Sequence, residues 1–122
     1  MTIAEAAKAS GLSVDTIRFY EKSGMLPRLA RDARGWRRFP PDAVEWLRNL
    51  ERLRATGMPM TEMRRFAVLV HASPTPDGAT ERLAILQTHA KRLEQRQAEL
   101  DACKAYLARK VTIYSQPQGD IT

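Results

Sequence analysis

Arginine carries most of the chemistry that this chain offers. A guanidinium presents parallel N–H donors that grip a phosphate, or the edge of a guanine, with two bonds at once. Arg18 sits in the run Ser13-Val14-Asp15-Thr16-Ile17-Arg18-Phe19-Tyr20, while Arg31, Arg34, Arg37 and Arg38 crowd around Gly35 and Trp36. Trp36-Arg37-Arg38-Phe39 alternates large aromatic and basic side chains, as a short exposed hairpin would. Such a set suits an extended polyanion. Catalysis has no comparable set, since the sequence shows no nucleophile–base pair, no paired acids and no glycine-rich phosphate loop. The expectation is a protein that is not an enzyme and takes no cofactor.

Sulfur and imidazole groups are sparse. Cys103 is the one cysteine, so an intramolecular disulfide is impossible and no second thiol stands at metal-ligand spacing. Lys104 beside it would favour thiolate, which makes Cys103 a candidate redox or electrophile-sensing thiol; a small apolar filler is the favoured reading. His71 and His89 fall on or near predicted helices, where solvated or capping roles are ordinary. Met58, Met60 and Met63 recur at helical spacing as core gap-fillers do. No metal site is expected. A lone thiol fits a reducing cytosol. No apolar run approaches the roughly 18 residues of a membrane span, and Met1-Thr2-Ile3-Ala4-Glu5 lacks the charged start of an export signal. A cytoplasmic chain without a membrane partner is therefore expected.

The elements that must position these groups follow from punctuation and period. With 122 residues there is room for one compact domain and one long appended element. Thr2 and Glu5 have capping-box spacing before a short alanine-rich helix that stops at Ser10-Gly11. Ser13 is placed to cap a second helix through about Lys22, closed by Ser23-Gly24. Residues 27–39 read as a wing, and Pro40-Pro41-Asp42 as the start of a third helix with Val44, Leu47, Leu50 and Leu53 inward. Gly57-Met58-Pro59 breaks it, and a fourth amphipathic helix runs to a linker at Ser73-Pro74-Thr75-Pro76-Asp77-Gly78. From about Thr80 to Tyr114 there is neither Pro nor Gly, and Leu86, Leu93, Leu100, Leu107 and Tyr114 recur every seven residues. A helix of that length extends on the order of 50 Å and cannot bury its seam alone. Dimerisation through that seam is the expected solution.

The resulting division is a compact domain at 1–72, a linker at 73–79, a dimerisation helix at 80–114 and a flexible tail at 115–122. Charge follows the same division. Residues 1–70 carry 13 bases against 8 acids, whereas residues 71–122 carry 7 against 6. The positive field that an anionic partner would meet thus lies in the first half.

Two short helices across a tight turn, the second exposing Asp15, Thr16, Arg18 and Phe19, have the layout of a helix-turn-helix. Ser13 through Lys22, followed by Gly24-Met25-Leu26-Pro27, resembles the signature of MerR-type regulators. The likeness continues through Arg31, the Gly35–Phe39 segment, Leu50 to Gly57 and Met60-Thr61-Glu62-Met63, and spans nearly residues 1–114. Phe19 and Trp36 stand where that family usually has tyrosine. The resemblance implies a mainly α fold, with a winged helix-turn-helix DNA-binding domain at 1–72 followed by a long helix in an antiparallel coiled coil. It further implies a homodimer that binds double-stranded promoter DNA and distorts it so that RNA polymerase engages both promoter elements. Carried over by position, Ser13, Asp15, Thr16, Arg18, Phe19 and Tyr20 are the recognition-helix candidates. Arg31, Arg34, Gly35, Trp36, Arg37 and Arg38 are those of the wing. Tyr20, Trp36 and Gly35 each also have a structural reading, as core, hairpin anchor and turn.

The family's metal sensors carry cysteines at the start and after the end of the long helix. Here those places read Asp77-Gly78-Ala79-Thr80 and Ser115-Gln116-Pro117-Gln118, and the expectation is a regulator without a large C-terminal effector domain. The short subgroup without such a domain is the nearest pattern. Two rivals share parts of the sequence: a DNA-bending architectural or recombination accessory protein, and a coiled-coil interaction module that never meets DNA.

Overall fold

Reciprocal capping starts the first helix. Thr2 Oγ1 accepts from the Glu5 amide at 3.2 Å while Glu5 Oε1 accepts from the Thr2 amide at 3.0 Å. Two amide donors that the helix itself leaves unpaired are thereby satisfied. In the computed structural model, which describes residues 1–72 and 76–117, this gives α1 (Ile3–Ser10), followed by α2 (Val14–Lys22), α3 (Pro41–Ala55), α4 (Met60–Ala72) and α5 (Pro76–Tyr114). Gly11 ends α1 in the left-handed region at φ 78° and donates to Ala7 O at 2.9 Å. An L side chain would be strained there. Ser13 then caps α2, accepting from the Thr16 amide at 3.1 Å. The tight turn between two capped helices is what aims α2.

Two compact units divide the chain, Met1–Leu86 and Gln87–Thr122. In the first, Ile17 and Tyr20 of α2 join Ala6, Met25, Phe39, Val44, Leu47, Leu50, Met58, Met63 and Ala67 in one buried cluster. The apolar positions of each helix recur at helical spacing, so burial of one face orients the opposite face outward. Met58 and Met63 are core, as expected, and Met60 packs partly buried against them. Trp46 of α3 holds the segment that leaves α2: its Nε1 donates to Met25 O at 2.7 Å, and its ring stacks on Phe66 of α4 with centroids 6.1 Å apart.

The wing is less regular than the expected hairpin. One antiparallel bridge, Arg31 with Arg37, is its ladder. Asp32 supplies the rest, because its Oδ1 accepts the amides of Arg34 at 2.9 Å and Trp36 at 3.0 Å, bonds that a strand would have made with a partner. Gly35 at φ 79° lets the chain reverse, and its amide donates to Asp32 O at 2.9 Å.

Helix α5 begins at Pro76, so residues 76–79 of the expected linker are helical, and residues 73–75 lie outside the described part. Proline is tolerated in a first helical turn because its missing N–H would be unpaired there anyway, and Asp77 faces the positive end of the helix dipole. The first turns of α5 belong to the first unit. Arg82 Nη1 donates to Leu69 O of α4 at 3.0 Å, and Ile85 is 7% exposed within the core. In the second unit α5 continues to Tyr114, and Ser115 closes it by donating through N and Oγ to Val111 O. Residues 118–122 of the expected tail lie outside the described part.

Candidate nucleic-acid interface

Helix α2 presents a mixed polar and aromatic face. Asp15, Arg18 and Phe19 are exposed, Thr16 is half-buried, and Ile17 is fully buried on the opposite side. Phe19 is 47% exposed, unusual for a ring of that size unless something else covers it. Ser13 and Thr16 are partly committed to the cap, with their hydroxyls 2.8 Å apart. Arg18 reaches Asp15 only at 4.0 Å, and both side chains are largely exposed, so the pair leaves the guanidinium available.

Tyr20 is a correction. It was expected among the recognition-helix contacts, yet it is 1% exposed, because its position one residue after Phe19 turns it into the core beside Ile17. Burial pushes the phenol above its ordinary range, and the Glu51 carboxylate adds to that. The ring thereby takes the core role that its position also allowed.

Five of the six wing candidates stand outward, Gly35 among them. Arg31, Arg34, Trp36 and Arg38 are exposed, Trp36 at 56%. Arg34 lies over the indole at 4.3 Å from the ring centroid, which holds both groups flat as one cationic platform. Arg31 Nη1 donates to Gly35 O at 2.8 Å, tying the base of the turn to its apex. Asp32 is acidified by the amides of Trp36 and then Arg34, so it stays ionised beneath this cluster.

Arg37 is placed differently from its neighbours. Its Nε lies 2.5 Å from Glu21 Oε1 at the end of α2, with the two side chains 31% and 28% exposed. Sequence reasoning missed both this pair and the part played by Asp32. For Asp32 a signal existed, an acid three residues before a glycine in a turn. For Glu21 and Arg37 none did, since they meet only after the chain has folded back. The pair brings the wing against α2, and a cleft of about 410 Å³ is lined by Arg18, Arg31, Gly35, Trp36 and Arg37 together with Thr2–Ala4. Arg18 of α2 and Arg31, Gly35, Trp36 and Arg37 of the wing thus share one cleft, whereas Ser13, Asp15, Thr16 and Phe19 line a separate groove on α2 and Arg38 a third.

On α5, Leu93 is half-buried, whereas Leu86 is 38%, Leu100 and Leu107 58%, and Tyr114 55% exposed. Val111 and Tyr106, outside the heptad count, are also exposed. Cys103 is free and exposed. Among the described residues, no group of three or more His, Cys, Asp and Glu side chains is placed to hold a metal, and no helix is long and apolar enough to cross a membrane. His71 sets its ring edge-on to Trp46, and burial lowers its pKa; His89 is buried.

Fold and face together define a winged helix-turn-helix protein. Residues 1–67 match the family described as MerR HTH family regulatory protein, and residues 44–110 match the MerR DNA-binding family. The chain belongs to the MerR family and is a transcriptional regulator of that type, as the resemblance implied. A Haemophilus influenzae relative, named only as an uncharacterized HTH-type transcriptional regulator, is 36% identical over 97% of this chain and 86% of its own length. The Escherichia coli regulator ZntR is 28% identical over 88% of this chain and 75% of its own. Among solved structures, HiNmlR, a MerR regulator lacking the sensor domain and bound to promoter DNA, aligns with a TM-score of 0.74 at 36% identity, covering 93% of this chain and 85% of that one. A Listeria monocytogenes MerR regulator reaches 0.84 at 25% identity, covering 96% and 87%.

Proposed function

We propose that two copies of this chain pair through α5 in an antiparallel coiled coil and bind double-stranded promoter DNA. Each α2 enters a major groove and each wing lies on the neighbouring backbone. The observation that carries this reading is the convergence of Arg18, Arg31 and Trp36 on one cleft, with Phe19 exposed beside it on α2. Arg18 has the reach and valence for a base edge or phosphate, and Phe19 offers an apolar surface of the kind that meets a thymine methyl. Arg31, Arg34 and Arg38 supply backbone charge.

Support for pairing comes from the exposed apolar side chains of α5 at intervals of seven, a seam that one helix cannot cover. In this reading the protein works in the cytoplasm as a regulator rather than a catalyst, needing neither metal nor cofactor. Its output is deformation of the promoter, which brings the two recognition elements into a geometry RNA polymerase can use. Run-off transcription from the chain's own promoter, paired with a circular-permutation bend assay, tests it. The expected result is a bend together with a change in transcript level. A bend with unchanged transcription would reassign the chain to DNA architecture.

A further inference from the structure

Glu21 is out of place on a surface built for a polyanion. It lies in the last turn of α2, where the helix dipole already disfavours a carboxylate, and it shares a shallow groove with Asp15, Arg18, Phe19, Lys22 and Arg37. A negative charge there opposes phosphate. The structure shows what it does instead: Glu21 and Arg37 form an ion pair, Oε1 to Nε 2.5 Å, that bridges α2 to the wing. Within the wing, order comes from one backbone bridge, the Asp32 turn and the Arg31–Gly35 bond, with Phe39 anchoring its end in the core. At its tip a cleft separates Gly35 and Trp36 from the start of α1, and the ion pair is the link to α2.

We infer that Glu21 and Arg37 form a strut that sets the angle of the wing against the recognition helix. Arg37 is then a positioning residue rather than a DNA contact, and the residues it aims are Arg31, Arg34 and Trp36. This distinguishes it from Arg34, whose side chain is 68% exposed and whose acidic partner, Asp32, lies within the wing itself. A partly exposed ion pair adds little to folding. Its effect falls on direction, so DNA affinity is more sensitive to it than stability is.

The inference rests on the DNA-binding reading, and the test separates the two. Binding of the full-length chain to a labelled duplex from upstream of its gene is measured for the wild type, Glu21→Gln, Arg37→Gln, Arg37→Lys and the Glu21→Gln/Arg37→Gln double variant. Alongside, amide exchange is followed at Arg38, whose N–H bonds Ala30 O at 2.8 Å and so reports wing closure without DNA. A strut predicts that each Gln variant weakens specific binding about tenfold, that the double variant is no worse than either single, and that Arg37→Lys recovers part of the loss. Arg38 exchange should quicken in Glu21→Gln while melting temperatures shift by less than about 5 °C.

The opposite pattern would overturn it. If Glu21→Gln tightens binding and Arg37→Gln lowers the salt slope by about one phosphate, additively in the double variant, Arg37 grips DNA and Glu21 merely repels it. Should the wild type not bind at all, the DNA-binding reading fails by itself. Exchange then decides the strut, and an unchanged Arg38 rate in Glu21→Gln would end it.

Discussion

Phe19 and Tyr20 are adjacent aromatic residues with opposite fates. A helix turns by about 100° per residue, so one ring faces solvent while the next enters the core. Sequence gave Arg18 and Phe19 correctly as surface groups, because Ile17 anchors the buried stripe, but it could not decide which side of that stripe Tyr20 would take. Asp32 makes a testable case at the same scale. Its folded carboxyl titrates below the ordinary 3.8, chiefly through the Trp36 amide. A depressed pKa means that ionised Asp32 favours the ordered wing; that contribution is complete above the unfolded value and disappears as pH falls through the folded one. Protection of the Trp36 amide, measured against its intrinsic exchange rate, should therefore fall on acidification below about pH 4 in the wild type, and should be low already at neutral pH in Asp32→Ala. Slow exchange at neutral pH in that variant would show that the turn does not need the carboxylate.

Caps and breakers made the helices legible. Thr2 with Glu5, Ser13 and Gly11 all do in the structure what their types and spacing imply. The start of α5 was misplaced because Pro76 and Gly78 read as loop residues, although a first turn tolerates both. The wing was recognised by composition but not by form, since an aspartate side chain takes the hydrogen bonds expected of a strand. Register in the proposed α5 pair is the element-level question. If the antiparallel helices cross at Leu100, position 103 meets about position 97 of the other copy. Leu100→Cys in a Cys103→Ser background should then crosslink to its own copy within minutes under mild oxidant, while the wild-type chain with Cys103 alone should not. Rapid Cys103–Cys103 crosslinking on a denaturing gel would move the crossing point or reverse the orientation.

At the scale of the whole chain, the uneven distribution of bases between residues 1–70 and 71–122 was the earliest pointer to an anionic partner. The family match over residues 1–67 and 44–110 turned that pointer into an assignment. What one chain's sequence held least was relation: which side chains meet across turns, as Glu21 meets Arg37, and what covers the exposed apolar positions of α5. Both depend on distance in space rather than along the chain. The most direct test is a titration of the protein against DNA from upstream of its own gene and against random DNA, at several salt concentrations, with the wild type and Arg18→Ala. Saturable binding that favours the upstream sequence, falls steeply with salt and weakens by about 1–3 kcal/mol in the variant is the expected outcome. Equal affinity for both DNAs, or binding indifferent to salt and to Arg18, would contradict a specific regulator that reads DNA through α2.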